Sequence, residues 1–235
     1  MMNVEIELDG ITIEVVRARV KHVRLSVNRT GRVRISAPHR VPMETVRAFA
    51  ASKAHWITRH LESVRARARD AQRDYVNGES LYVWGRPYVL EVIEQFAVPG
   101  VQCRHDALQL RVRPGADCAR RASVVSGWYR QMMMAEVPPL IGAWEPRLQV
   151  SVSGFSVRQM KTRWGSCNVG TRAIRLNTEL ARKPRECLEY VVVHEMVHLL
   201  EPSHNDRFKG LLDRFMPRWR HIRTELNDGS HRIAG

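Results

Sequence analysis

Cysteine, lysine and long apolar runs are scarce in this chain, and each scarcity removes a class of protein. Only four cysteines occur in 235 residues, Cys103, Cys118, Cys167 and Cys187, and no two form a CxxC pair. Neither a disulfide framework nor a thiolate zinc site is indicated, so reduced, mostly buried thiols are expected. No run of 18 apolar residues exists, and Met1 to Val16 carries Glu5, Glu7, Asp9 and Glu14 where a signal peptide has a basic start and an apolar stretch. A cytoplasmic protein with no membrane partner is expected. The chain also lacks a P-loop and an acidic cluster of the kind that positions magnesium beside a triphosphate.

What is present is ordinary globular material. A hydrophobic content of 44% is ample for a buried core, and the length fits one elaborate domain or two small ones. The net charge of +14 is almost all arginine, 33 residues against 5 lysines. It is uneven: +6 over residues 1–60, zero over 61–118 and +8 over 119–235. Guanidinium groups match carboxylates and phosphates in a bidentate way, which brings an anionic substrate or a nucleic acid into view. A genome-wide arginine bias leaves the same trace.

Hydrophobic periodicity predicts an α+β fold. Val4, Ile6 and Leu8, then Ile11, Ile13 and Val15, then Val23, Leu25 and Val27, then Val33 and Ile35 alternate with period two, with turns at Asp9-Gly10 and Thr30-Gly31. This reads as an antiparallel meander. Pro42 opens one long helix to about Tyr75, ending in the charged run Arg65 to Arg73. Short strands follow near Ser80–Val83, Pro87–Glu94, Val101–His105 and Leu108–Val112. A helix from Asp117 must kink or break at Pro138-Pro139. No internal repeat is evident. The expected division is 1–115, a β-rich region with the long helix, and 116–235, which carries the chemistry.

That chemistry centres on Tyr190-Val-Val-Val-His194-Glu195-Met-Val-His198-Leu-Leu-Glu-Pro-Ser-His204, an HExxH motif with a further histidine six residues on. In a helix His194 and His198 lie on one face about one turn, roughly 6 Å, apart, which suits one cation. Glu195 projects beside them, where zinc hydrolases place the carboxylate that takes a proton from water. A catalytic zinc needs a third protein ligand, and His204 is the candidate. Pro202 ends the helix near Leu200 or Glu201, and Ser203 with Asp206 caps a second one that starts with His204. Leu188, Val191, Val192, Met196 and Leu199 face the core. Upstream, Val150 to Val157 and Ala173 to Asn177 read as strands flanking Lys161-Thr-Arg163-Trp164-Gly165-Ser166-Cys167, where Gly165 marks a bulge or a close backbone approach. Arg163, Trp164, Gly165 and Ser166 are the candidate substrate-binding residues. Arg163 reads as a group that steadies a negative oxygen or as a structural ion pair, and Trp164 as packing or substrate contact.

Arg163-Trp164-Gly165-Ser166-Cys167, Asn177, the HExxH helix and His204 together resemble the YgjP-like (DUF45) family of predicted metal-dependent hydrolases. The resemblance implies an N-terminal antiparallel β-rich part followed by a minimal zincin-type metallopeptidase domain, with His194, His198 and His204 on zinc (Zn2+) and Glu195 as general base. Metzincins share the spacing but have glycine where Glu201 stands. Bacterial members of the family also carry a pyrophosphatase assignment for uridine triphosphate, for which Arg158, Lys161, Arg163 and Arg175 would hold phosphates. The leading expectation is a metallopeptidase acting on a peptide or protein, with the 155–166 strand pairing to the substrate. The alternatives are the nucleotide pyrophosphatase and a basic nucleic-acid-binding module with structural zinc.

Overall fold

The computed structural model describes residues 3–28, 30–71 and 73–227. Asp9 and Gly10 have φ of 50° and 76°, the left-handed pair that reverses a hairpin in step with its strand twist. β1 (Asn3–Leu8) and β2 (Ile11–Arg17) therefore pair antiparallel. β3 (Arg24–Val27) and β4 (Val33–Ala37) form a second antiparallel pair, with the Asn28 side chain accepting from the N–H groups of Thr30 and Arg32 in the turn. The sheet is not the expected meander. β4 lies parallel to β2, giving the order β1-β2-β4-β3. Burial agrees with this: Val33, Ile35 and Ala37 are buried, whereas the inward Leu25 and Val27 of β3 are only half-buried, as suits a central β4 and an edge β3.

The single helix expected over 42–75 is two, α1 (Met43–Ser52) and α2 (Ala54–Ala71). At the junction the Ser52 hydroxyl donates back to the Phe49 carbonyl and the Lys53 N–H to Ala50, a tight turn that competes with the helical ladder. The side chains of the Arg65–Arg69 run, which reads in sequence as a charged surface helix or a linker, lie outside those described. Ile6, Ile13, Val15, Ile35, Val46 and Ile57 make the core of this first unit.

A second compact unit begins at Arg73, so the division falls well before the expected 115. The reason is hydrophobic: Leu81, Leu90, Leu108 and Leu110 belong to the same core as Val192 and Met196, and a boundary at 115 would cut through it. β5 (Ser80–Val83), β6 (Arg86–Glu94), β7 (Gly100–Arg104) and β8 (Ala107–Val112) are ordered β5-β6-β8-β7, with β6 and β8 parallel. This is the path of the first sheet again. It starts with another two-residue left-handed turn, Trp84 and Gly85 at φ 48° and 81°, and a helix again follows its last strand. The repeat is one of topology, invisible to a search for recurring residues.

α3 (Cys118–Leu148) is capped by Asp117, whose carboxylate accepts from the Arg120 N–H at 2.7 Å. It runs unbroken through Pro138 and Pro139. Both prolines are exposed, so the carbonyls deprived of partners one turn earlier face water, while Met133, Val137 and Ile141 keep the opposite face buried. β9 (Gly154–Arg158), β10 (Gly165–Asn168) and β11 (Ala173–Asn177) form a third sheet, ordered β10-β11-β9. α4 (Arg185–Val197), α5 (Asp206–Phe215) and α6 (Trp219–Asn227) complete the unit. All four cysteines are free, but Cys103 and Cys118 are exposed, against the expectation of mostly buried thiols; each lies where its neighbours leave the strand or helix surface open to solvent. No helix among the described residues is long and apolar enough to cross a membrane.

Candidate metal centre

α4 is a poor helix by propensity, with Val191, Val192 and Val193 in succession, and is held as one by burial of all three. Its start is fixed from outside. The N–H groups of Trp84 and Gly85 donate to the carbonyls of Ala181 and Arg182, and a β-carbon on Gly85 would lie 2.9 Å from the Pro184 ring that opens the helix. The regular helix stops at Val197, three residues before the expected end, with His198 as its cap. The N–H groups of Leu200 and Glu201 both turn back to the Val197 carbonyl, which tightens the last turn and leaves Leu199 half-buried instead of in the core.

Asn205, not Ser203, caps α5: its side chain accepts from the Phe208 N–H at 3.0 Å, the position three residues into the helix that a cap must reach. Ser203 instead donates its N–H to the Glu201 carboxylate. His204 therefore sits in the turn between the helices and not on α5.

The result brings the three histidines together. One ring nitrogen from each of His194, His198 and His204 lies within 4.8 Å of the others, and Nε2 of His194 and His204 stand 2.9 Å apart. Phe208 underlies all three, its centroid 4.9, 4.7 and 4.8 Å from their rings. The outer nitrogens have other partners. Nδ1 of His198 is 3.2 Å from the Glu201 carbonyl, and Nδ1 of His194 is 3.5 Å from the Tyr190 hydroxyl. The carbonyl can only accept, so it keeps the His198 proton on Nδ1 and leaves the Nε2 lone pair free, whereas the Tyr190 hydroxyl orients the His194 ring.

Electrostatics favour the same state. Burial, with His198 and His204 adjacent, pushes the His194 imidazole down to about 3. Burial also lowers His198 and His204, the latter helped by the charge of Arg223. Neutral imidazoles are what a metal requires. Two nitrogens each about 2.0–2.1 Å from a tetrahedral ion would be about 3.3 Å apart, so the His194–His204 pair would open by a few tenths of an ångström and the widest pair would close by about 1.5 Å, within reach of imidazole rotation. Nitrogen donors alone suit zinc, copper, iron or nickel better than magnesium or calcium.

Glu195 is 5% exposed beside the cluster. Burial pushes its carboxyl up to about 8, with the Arg163 guanidinium working against the shift. The expected close backbone approach at Gly165 is to this residue: a β-carbon there would lie 2.6 Å from Oε1 of Glu195. Strand alternation puts Cys167 on the same side of β10, where burial and the Glu195 charge push its thiol up to about 11, and Ser166 on the other. Trp164 is buried and donates Nε1–H to Asn227 at 3.4 Å. Arg163 is exposed on the loop before β10. Asn177, fully buried, holds that loop: its Nδ2 donates to the carbonyls of Met160 and Arg163, and its Oδ1 accepts from the N–H groups of Met160 and Glu179. The stretch expected as one strand over 155–166 is β9, this loop and the start of β10, because β11 pairs with β9 on one side and β10 on the other. Of that stretch it is the start of β10, at Gly165, that meets Glu195.

Sequence reasoning missed Tyr190, Phe208 and Arg223 as members of the site. The first two carry a legible signal: Tyr190 is four residues before His194 and Phe208 four after His204. Arg223, on α6, carries none.

A family model described as the YgjP-like metallopeptidase domain matches residues 21–229. Two solved structures are similar to part of the chain. One is the metallopeptidase zymogen of Pyrococcus abyssi abylysin, 19% identical, covering 39% of this chain and 91% of that one with a TM-score of 0.37. The other is the metallopeptidase zymogen of Methanocaldococcus jannaschii jannalysin, 20% identical, covering 39% and 93% with a TM-score of 0.35. No curated protein matches.

Proposed function

The chain belongs to the YgjP-like metallopeptidase-domain family, and from that premise we propose that it is a zinc-dependent peptidase with a zincin-like site, in which His194, His198 and His204 hold the ion and Glu195 is the general base. When bound, zinc supplies positive charge that acidifies a water and polarises a peptide carbonyl. Glu195 takes the proton from that water and hands it to the leaving amine. Burial raises its proton affinity in the metal-free chain, and the positive charge of a bound ion would lower it again, leaving an ionised carboxylate to accept the proton. Gly165 lets the β10 backbone form one wall of the carboxylate's pocket. β10 is an edge strand, paired to β11 on one side alone among the described residues, so its other edge offers N–H and C=O groups to an extended peptide.

The observation that carries the reading is the convergence of three neutral imidazoles beside a buried carboxylate. A purely structural zinc site has no use for that carboxylate. The pyrophosphatase and nucleic-acid readings gain no support among the described residues. The test is Glu195→Gln in the zinc-loaded protein against a peptide library. Zinc stoichiometry should stay at one per chain while turnover falls at least about a hundredfold; retained turnover would reject the base, and loss of zinc would reject the division of roles.

A further inference from the structure

α6 carries Trp219, Arg223 and Asn227 four residues apart, hence in a row on one face. Both ends of the row are tied down. The Trp219 ring stacks on Tyr190 at 6.5 Å, and the Tyr190 hydroxyl stands 3.5 Å from Nδ1 of His194. At the other end Asn227 accepts from Nε1–H of Trp164, which lies between Arg163 and Gly165, and returns its own Nδ2–H to the Arg223 carbonyl. Arg223 is thus bracketed between the histidine cluster and the Arg163 loop. The charge of Arg223 reaches His194 and His204, and that of Arg163 reaches Glu195.

Both guanidinium groups are exposed, and among the described residues neither has a carboxylate partner. Some arginines of the same unit do have one. Arg182 pairs with Glu179, Arg185 with Glu136, Arg207 with Glu201 and Arg220 with Asp213. Two open guanidinium groups, one acting on the histidine cluster and the other on Glu195 beside it, make a site for an anion.

We propose that Arg163 and Arg223 determine the substrate of this site, which is a peptide bearing a carboxylate close to the cleaved bond, either an Asp or Glu side chain or the free C-terminus. The inference rests on the peptidase reading and narrows it. A guanidinium fork takes a carboxylate through two parallel N–H···O bonds, and each exposed pair of this kind adds about tenfold in affinity when its geometry is held. The ties of Trp164 to Asn227 and of Asn177 to the Arg163 carbonyl hold the backbones that carry the two forks.

Binding at equilibrium tests this independently of turnover. The full zinc-loaded chain with Glu195→Gln is titrated with fluorescein-labelled octapeptides in which one Asp is scanned through every position, with their Asn counterparts, and with the same peptides amidated at the C-terminus. The expected result is that one Asp position, or the free C-terminus, tightens binding about tenfold or more over the uncharged peptide. Adding Arg163→Gln or Arg223→Gln should each reduce that preference and the pair should abolish it, with zinc content and circular dichroism unchanged. Equal affinity for all peptides would overturn the proposal, as would a preference that survives both substitutions or tighter binding of uridine triphosphate than of any carboxylate peptide. Failure of the unsubstituted protein to cleave any of these peptides would count against the peptidase reading instead, and leaves the carboxylate measurement standing.

Discussion

A β-carbon on Gly165 would lie 2.6 Å from Oε1 of Glu195 and 2.8 Å from its Cγ. The contact ties a strand position to the carboxylate with no side chain between them, so the glycine is needed for space at that wall. Gly165→Ala should push Glu195 out of line. A displacement approaching 1 Å costs about a hundredfold in turnover, while zinc content, set by the histidines, should not change. Steady-state kinetics beside metal analysis checks this, and an Ala variant with full activity would free Glu195 from the role given to it.

Phe208 packs against all three imidazoles, tilted to His198 and edge-on to His194 and His204. Phe208→Leu leaves part of that space empty and should cost about 1–2 kcal/mol of stability in the metal-free protein. It should also weaken zinc binding about tenfold, because rings free to turn lose the orientation a ligand needs. Urea unfolding and a competitive zinc titration measure the two effects. Lost stability with unaltered zinc affinity would make Phe208 a core residue only.

Without metal, Glu195 and His194 pull stability in opposite directions with pH. The folded carboxyl titrates at about 8, above its usual 4.5, so the fold holds an extra proton; this contribution is complete below about pH 4.5 and is lost as pH rises through 8. His194, lowered to about 3 from 6.5, contributes above 6.5 and loses its contribution as pH falls towards 3. Between pH 6.5 and 8 the His194 contribution is constant while that of Glu195 falls. The chelated protein should therefore lose a few kcal/mol over that range relative to Glu195→Gln. Parallel unfolding curves for the two proteins across that range would contradict it.

Much of the site was legible because its determinants are local. The four-residue spacing of His194 and His198 is a property of a few residues, and so is the need for glycine at 165, whereas the helix ends at Val197 and not beside Pro202. The parallel pairing of β2 with β4 was not legible, since it depends on which strand wins the buried centre of a sheet. Pro138 and Pro139 misled for a related reason: their cost depends on whether the carbonyls they orphan meet water, which a sequence does not display. Arg223 is one of 33 arginines, and what singles it out is tertiary: the stacking of Trp219 on Tyr190 and the reach of its charge to His194 and His204.

Zinc K-edge absorption spectroscopy of the loaded protein tests the central claim most directly, because it counts the atoms around the ion. The account predicts three imidazole nitrogens and one light oxygen at about 2.0–2.1 Å, with one imidazole lost on His204→Ala. A sulfur at about 2.3 Å, or a spectrum unchanged by His204→Ala, would show a different or closed ligand set and contradict it.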